Sequence, residues 1–392
     1  MWFRVISAAV AATVTLILLF ILFNPHVEDG RGQLSSLQKV TGKARGNERG
    51  FESFQVTDRN KEIKPTVNTT KDKRIYAGIH IKNIYNLSIK DRSFMAEGWY
   101  WLKWPETINN MMKENNVSQD KIVEFINQVD TSSTLVEVDQ PNPQRLTNGY
   151  YWQVFRFSTK FYIEDLELQA FPFDVLSLPI ILELRPEILS CYPGNLYGCI
   201  QLALDPLSRG GKLGSYINLN GYKVVGVEAR EFLHQYNTSF GADAKSAFNS
   251  IAFNVFYRTD FGAAFWSYIF PLLVLVVIVI ISPSLPGTLG DVRLAIPTTI
   301  LLTLIFLQIG YKQELPPLAY VTYLDWLYIY AYIVSATFFI LFCWSINAYS
   351  RASSQGNEES VLRRIKRVDL LMQLLALLGL VVVVASGLMV RA

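Results

Sequence analysis

The chain has 392 residues, 51% hydrophobic and 18% charged. That charge lies below the roughly 25% of soluble domains, and the apolar residues gather near the N-terminus and in the last third around a polar, aromatic-rich middle, a pattern of a membrane protein with one soluble domain. A net charge of +3 gives no case for nucleic-acid binding; with His26, His80 and His234 scattered, and no glycine-rich phosphate loop, metal-spaced His/Cys set or nucleophile elbow, no enzyme and no cofactor is expected.

The first apolar run, Val5 to Phe23, is long enough to cross a bilayer as a helix. It is longer than a signal-peptide core, and "LFILFNPHVEDG" offers no small-residue cleavage site. Residues 1–27 therefore read as an uncleaved anchor, with a cleaved signal peptide as the other reading. Residues 28–72 are polar and rich in Lys, Arg, Gly, Asn and Thr, and read as a flexible linker.

Residues 73–262 change to alternating, β-branched and aromatic text. "IYAGIHIKNIYNLSI", "FMAEGWYWLKW", "YYWQVFRFSTKFYI", "VLSLPIILEL", "GYKVVGVEARE" and "SIAFNVFYRTD" are strands separated by polar turns, which predicts an antiparallel β-sandwich. Glu106 to Phe125 is less sheet-like and admits a short helix. Trp99, Trp101 and Trp104 are expected in the core, a ligand cage being the other reading. Between two strands, "LQAFPFDVLSLP" is a tight turn, because proline fixes φ and cannot donate to a ladder. Its Asp174 is one charge among apolar residues, and a buried unpaired carboxylate is expensive. Cys191 and Cys199 bracket "YPGNLYG"; they form a disulfide if that loop faces an oxidising compartment, or are two unrelated thiols. Cys343 lies in an apolar run and reads as an inert thiol.

Residues 263–392 hold four more apolar runs, at about 264–281, 294–311, 324–346 and 370–390. The cluster "RRIKR", Arg363 to Arg367, marks its loop as cytoplasmic. Counting back places "SPSLPGTLGDVR" inside and about Asn24 to Gly262 outside, and Arg4 places the N-terminus inside. The expected location is a multi-pass plasma (inner) membrane protein with its soluble domain extracellular or periplasmic.

The run 294–311 carries the most chemistry. Ala295, Thr299, Leu302, Phe306, Ile309 and Gln313 recur at steps of three and four and share one helix face. Asp291 and Arg293 stand at one end, and Lys312, Gln313 and Glu314 at the other. Thr298, Thr299 and Thr303 either bond to the backbone one turn back or help form a pore wall. In a pore, Leu302, Phe306 and Ile309 would be dewetting constrictions, and Asp291 an acidic ring favouring cations.

The chain resembles the pentameric ligand-gated ion channels, the Cys-loop receptor superfamily, and in particular its prokaryotic members, from about Ile75 to the C-terminus. "FPFD" at Phe171 to Asp174 is similar to the family's signature turn. Arg258 stands thirteen residues before Pro271, similar to the arginine ending the last strand and the proline of the first channel helix. "RLAIPTTILLTLIFLQ" followed by "ELPPLAYVTYLD" is similar to the pore helix and its outer loop. The order of sandwich, three close-spaced helices, basic loop and last helix is the family's order.

The resemblance implies a β-sandwich followed by a four-helix transmembrane bundle, with the N-terminal anchor as an addition. It implies a homopentamer gated by a small molecule or a proton, with permeant ions and membrane lipid as its other partners. The pore-lining residues would be Asp291, Ala295, Thr299, Leu302, Phe306, Ile309 and Gln313. Coupling would fall to Phe171, Pro172, Phe173, Asp174, Arg258, Leu315 and Pro316, with an Asp174–Arg258 ion pair and the phenylalanines packed toward "ELPPLAY". The hairpin His234 to Ala247 would cover the ligand, with Tyr236 and Phe240 as its available aromatics; without a full aromatic box a cationic amine is not supported. The chain departs from the pattern in having Glu164 and Leu178 where the naming cysteines would stand, and in Pro297 within the pore helix. The alternative is a non-conducting membrane sensor on the same scaffold.

Overall fold

A computed structural model of the chain describes residues 37–39, 54–56, 73–114, 116–129, 134–185, 200–206, 212–236, 247–354 and 356–389. The expected anchor Val5 to Phe23, most of the linker, the cysteine pair Cys191 and Cys199, and Phe240 lie outside the described residues. The chain divides into two units. One is built of sheets, within Ser36–Glu167 and Val175–Arg258; the other is helical, taking in Leu168–Asp174 and Thr259–Ala392.

The strands in chain order are β1 (Leu37–Lys39), β2 (Phe54–Val56), β3 (Arg74–Ser88), β4 (Ser93–Trp104), β5 (Val123–Phe125), β6 (Leu135–Val138), β7 (Gln144–Arg145), β8 (Tyr151–Tyr162), β9 (Val175–Leu184), β10 (Gln201–Leu204), β11 (Lys212–Tyr216), β12 (Tyr222–Gln235) and β13 (Ala247–Thr259). One helix, α1 (Glu106–Glu114), follows β4. β1 and β2 pair with each other. A seven-stranded sheet runs β10-β3-β4-β8-β6, with β11 also on β3 and β7 also on β8; a four-stranded sheet runs β12-β13-β9-β5.

Strand parity decides which aromatics enter the core. On β4 the buried residues beyond Ser93 at its start are Phe94, Ala96, Gly98, Tyr100, Leu102 and Trp104. Trp99 and Trp101 have the opposite parity and are only half-buried, which corrects the expectation that all three tryptophans fill the core. Trp101 instead donates its indole N–H to the buried Asp205 at 2.9 Å. Gly98 sits beside a bulge in β3, where a Cβ would come 2.2 Å from the His80 carbonyl. The core joins the two sheets: Tyr100 stacks on Phe155 at 4.9 Å, and Phe125 of the smaller sheet meets Tyr100 edge-on at 5.6 Å and Phe161 at 5.4 Å.

The helical unit has four helices long and apolar enough to cross a membrane. They are α2 (Phe261–Ser284), α3 (Gly290–Lys312), α4 (Tyr323–Ser353) and α5 (Glu358–Met389). Asp260 starts α2 by accepting the Ala263 amide at 3.2 Å. Pro271 has no N–H for the next turn, and α2 widens to π geometry just before it, over Phe265–Ile269. α3 runs through Pro297 without a break in its helical course. α5 begins well before the apolar run and includes the basic cluster. A buried row, Ile365, Asp369, Gln373, Ala376 and Leu380, recurs at steps of four and three from the charged end into the apolar part, so both parts pack as one helix.

Among the polar contacts that hold α5 to its neighbours are those of Gln373 and Asp369. The Gln373 amide donates to the Ile280 carbonyl and to Ser284 Oγ, both at 2.9 Å. Arg293 of α3, 0% exposed, meets Asp369 at 2.7 Å and lies 4.4 Å over the Phe342 ring of α4. Removing one partner of such a pair strands a charge in a low-dielectric surrounding. Asp369→Ala should therefore lose about 3–5 kcal/mol, read as a lower thermal midpoint of the detergent-purified chain. The paired apolar replacement Arg293→Met with Asp369→Leu should recover most of that loss; an unchanged midpoint in the single variant would show the pair dispensable.

Candidate functional site

α3 has two unlike faces. Arg293, Pro297, Ile300, Leu304 and Tyr311 are buried against the other helices. Asp291, Ala295, Thr299, Leu302, Phe306, Ile309 and Gln313 are all exposed in the single chain. Leu302 is 56%, Phe306 65% and Ile309 49% exposed. The bundle thus leaves uncovered the stripe expected to line a pore. Its threonines bond backward: Thr298, Thr299 and Thr303 donate to the carbonyls of Leu294, Ala295 and Thr299, each at 2.9 Å. A hydroxyl spent this way keeps an oxygen lone pair free to accept.

The C-terminal end of α3 is tied to the start of α4 through Asp325. Its carboxylate accepts from Tyr311, from Lys312 at 2.9 Å, and from the Thr322 amide and hydroxyl at 3.0 Å each. Thr322 returns the bond, its oxygen accepting the Asp325 amide at 3.2 Å, which makes a capping box.

The turn Leu168–Asp174 completes this cap. The first amides of a helix have no carbonyl of their own. Here Tyr323 donates to the Gln169 carbonyl at 2.9 Å and Leu324 to the Phe171 carbonyl at 3.1 Å. The Leu168 amide in turn donates to the Tyr320 hydroxyl at 2.9 Å. Phe171 is buried, with its ring 5.1 Å from Tyr268 and 6.4 Å from Tyr311. Phe173 stacks on Phe261 at 5.3 Å. The Phe171–Pro172 bond is cis. Asp174, 2% exposed, has a role inside the turn: its Oδ1 accepts the Ala170 amide at 2.9 Å, and its carbonyl accepts the Thr259 amide at 3.3 Å.

The other expected residues fall as follows. Leu315 is buried and Pro316 half-buried in the segment after α3. Of the expected packing onto "ELPPLAY", Tyr320 supplies the hydrogen bond to Leu168, while the rings met by Phe171 and Phe173 belong to α2, α3 and α4. Arg258 is half-buried on β13, in register with Val175 of β9.

In the sheet unit, Tyr236 at the end of β12 joins a cluster that sequence reading missed. Its hydroxyl donates to Glu183 Oε1 at 2.8 Å, and Ser250 donates to Oε2 at 2.7 Å. His234 Nδ1 lies 2.9 Å from the same Oε2, and its ring is 4.2 Å from that of Tyr236. Glu183 is 3% exposed, so a buried carboxylate gathers donors from β12 and β13 onto β9. Burial, with Glu183 beside it, holds the Tyr236 hydroxyl well above its ordinary pKa, and the phenol stays a donor. Among the described residues no group of three or more His, Cys, Asp or Glu is placed to hold a metal ion.

No protein-family model matches the chain, and no curated protein sequence does.

The Asp174 geometry separates an acceptor from a charge. Asp174→Asn keeps an oxygen for the Ala170 amide, whereas Asp174→Ala leaves that amide without its acceptor, a loss of about 1–3 kcal/mol. Thermal unfolding in detergent should find Ala clearly lower than Asn. Equal loss in both variants would show that the negative charge is what matters.

Proposed function

We propose that the chain is a subunit of a ligand-gated, cation-selective channel, a homopentamer in which α3 lines the pore. The observation that carries this reading is the uncovered stripe of α3. It runs from Asp291 to Gln313 on the exposed side of the helix, while Arg293, Pro297, Ile300, Leu304 and Tyr311 pack on its own bundle. Copies placed around an axis would bring these stripes together. Asp291 would then ring one mouth and attract cations, and Leu302, Phe306 and Ile309 would form narrow apolar levels that conduct only when wetted.

Gating in this reading uses the turn. The two carbonyls that cap α4 come from a segment whose chain continues into β8 on one side and β9 on the other. The sheet unit would be an extracellular sandwich that takes a small molecule or a proton near the end of β12, where Tyr236 and the Glu183 cluster lie. A shift of β8 or β9 would pull the turn, and with it the Tyr311 and Asp325 contacts that hold the end of α3. Hinges of this type absorb a motion in a few residues at element ends. The chain is not expected to be an enzyme. Of the two readings that share the scaffold, a conducting pore and a silent sensor, the acidic residue at the end of the stripe favours the pore.

The test is ion flux into proteoliposomes holding the purified chain, under jumps of pH and of candidate metabolites. Wild type should pass cations in preference to anions, and Asp291→Ala should move permeation toward equal passage with assembly intact. A mutant with unchanged cation preference would remove Asp291 from the filter, and absence of flux under every condition would favour the silent sensor.

A further inference from the structure

We infer that Gln308 is a positioning residue for the pore: the hydrogen bond that it accepts from Tyr332 sets how α3 is turned about its own axis, and keeps Phe306 and Ile309, not their exposed neighbour Ile305, toward the centre. The inference rests on the reading of the uncovered stripe as a pore wall, and adds what holds that stripe in place. Gln308 is a polar residue inside the apolar text "LLTLIFLQIG". Such a group in a membrane helix is costly unless a neighbour supplies its partner. Here α4 does so: the Tyr332 hydroxyl donates to Gln308 Oε1 at 2.8 Å. Among the described residues, the side chains of α3 between Arg293 and Gln308 that form hydrogen bonds are Thr298, Thr299 and Thr303, and all three return to α3's own backbone. Buried apolar side chains such as Ile300 and Leu304 hold the rest of that length. In a bilayer such contacts resist turning only weakly, because lipid tails can replace them. The bond from Tyr332 is directional and gives α3 one preferred rotation at this level.

The same bond is joined to the node at the start of α4. Asp325, Tyr328 and Tyr332 recur at steps of three and four and share one face of α4, and Gln308 and Tyr311 stand three apart on α3. Tyr311 donates to Asp325 and stacks on Tyr328 at 5.1 Å; Tyr328 in turn lies 6.5 Å from Tyr332. A displacement of the turn that moved Asp325 would therefore reach Gln308 through rings in contact, one residue before Ile309 of the stripe. Ile305 lies one turn before Gln308, on the flank between it and the stripe. With the bond removed, that flank is released from α4 and turns toward the centre.

The full-length chain is reconstituted with a single cysteine at Ile305 or at Phe306, and its modification by a membrane-impermeant thiol reagent is timed. Tyr332→Phe keeps the ring and loses the hydroxyl. It should raise the rate at Ile305→Cys relative to Phe306→Cys about threefold, the population shift that matches one hydrogen bond between membrane helices. Gln308→Leu should do the same, and the double variant should add nothing further, since both changes remove one bond. Tyr330→Phe, on the same helix, removes a hydroxyl that donates to the Ala376 carbonyl of α5, and should leave the ratio unchanged. An unchanged ratio in Tyr332→Phe and Gln308→Leu would overturn the inference, even with a lower thermal midpoint, and reduce the bond to a packing contact. An equal rise in Tyr330→Phe would overturn it as well, because that marks a general loosening of α4. The pore reading is decided separately, by whether Phe306→Cys reacts faster than Leu304→Cys in the chain with Tyr332 and Gln308 intact.

Discussion

The first amides of α4 need acceptors, and the turn Leu168–Asp174 supplies two of them. An unpartnered amide in an apolar surrounding costs several kcal/mol in hydrocarbon-like media, so this need is a strong constraint on the helical unit. Tyr323 and Leu324 reach the carbonyls of Gln169 and Phe171, the Asp325 amide is served by the Thr322 side chain, and the Thr322 amide by the Asp325 carboxylate at 3.0 Å. All four orphan donors are thereby satisfied. The same node collects Tyr311 and Lys312 from the end of α3. A turn that lies between two strands in sequence is in this way built into the start of a helix, and it fixes Phe171 and Phe173 among the aromatic rings of α2, α3 and α4.

Some of this was open to reading from the chain alone. Alternation over long stretches announced β3, β4, β8, β9 and β13, and apolar length announced the four helices. The faces of α3 also followed from spacing, since steps of three and four depend only on helix geometry. Parity within β4 was harder: tryptophans suggest a core, yet Trp99 and Trp101 fall on the other side from Tyr100 and Trp104. The early start of α5 was hidden because its first turns are basic, and only the buried row through Ile365 and Asp369 shows that they pack.

Polar contacts between distant segments were the least legible. Nothing in the spacing of Arg293 and Asp369 pairs them, and as sequence they look like charges flanking apolar runs. Glu183 reads as a polar residue on an otherwise apolar strand; its donors come from two other strands and are identifiable only once the β13–β9 register sets Ser250 opposite it. The hydrogen bond from the Ala170 amide to the Asp174 carboxylate is set by the fold of the turn, and no spacing in the chain announces it. The Thr322–Asp325 box is the exception: Thr-x-x-Asp ahead of an apolar run is a visible start signal, though weaker than the Glu form.

These contacts give α3 an unusual position. One face is pinned at both ends, by Arg293 to α5 and by Tyr311 to α4, while the opposite face is exposed in the single chain. The account therefore turns on what covers that free face, and single-cysteine substitution along α3 with a water-soluble, membrane-impermeant thiol reagent asks this directly. In reconstituted protein the account predicts fast modification at Ala295→Cys, Thr299→Cys and Leu302→Cys, and protection at Ile300→Cys and Leu304→Cys. Uniform protection along the helix, or reactivity without that period, would contradict it.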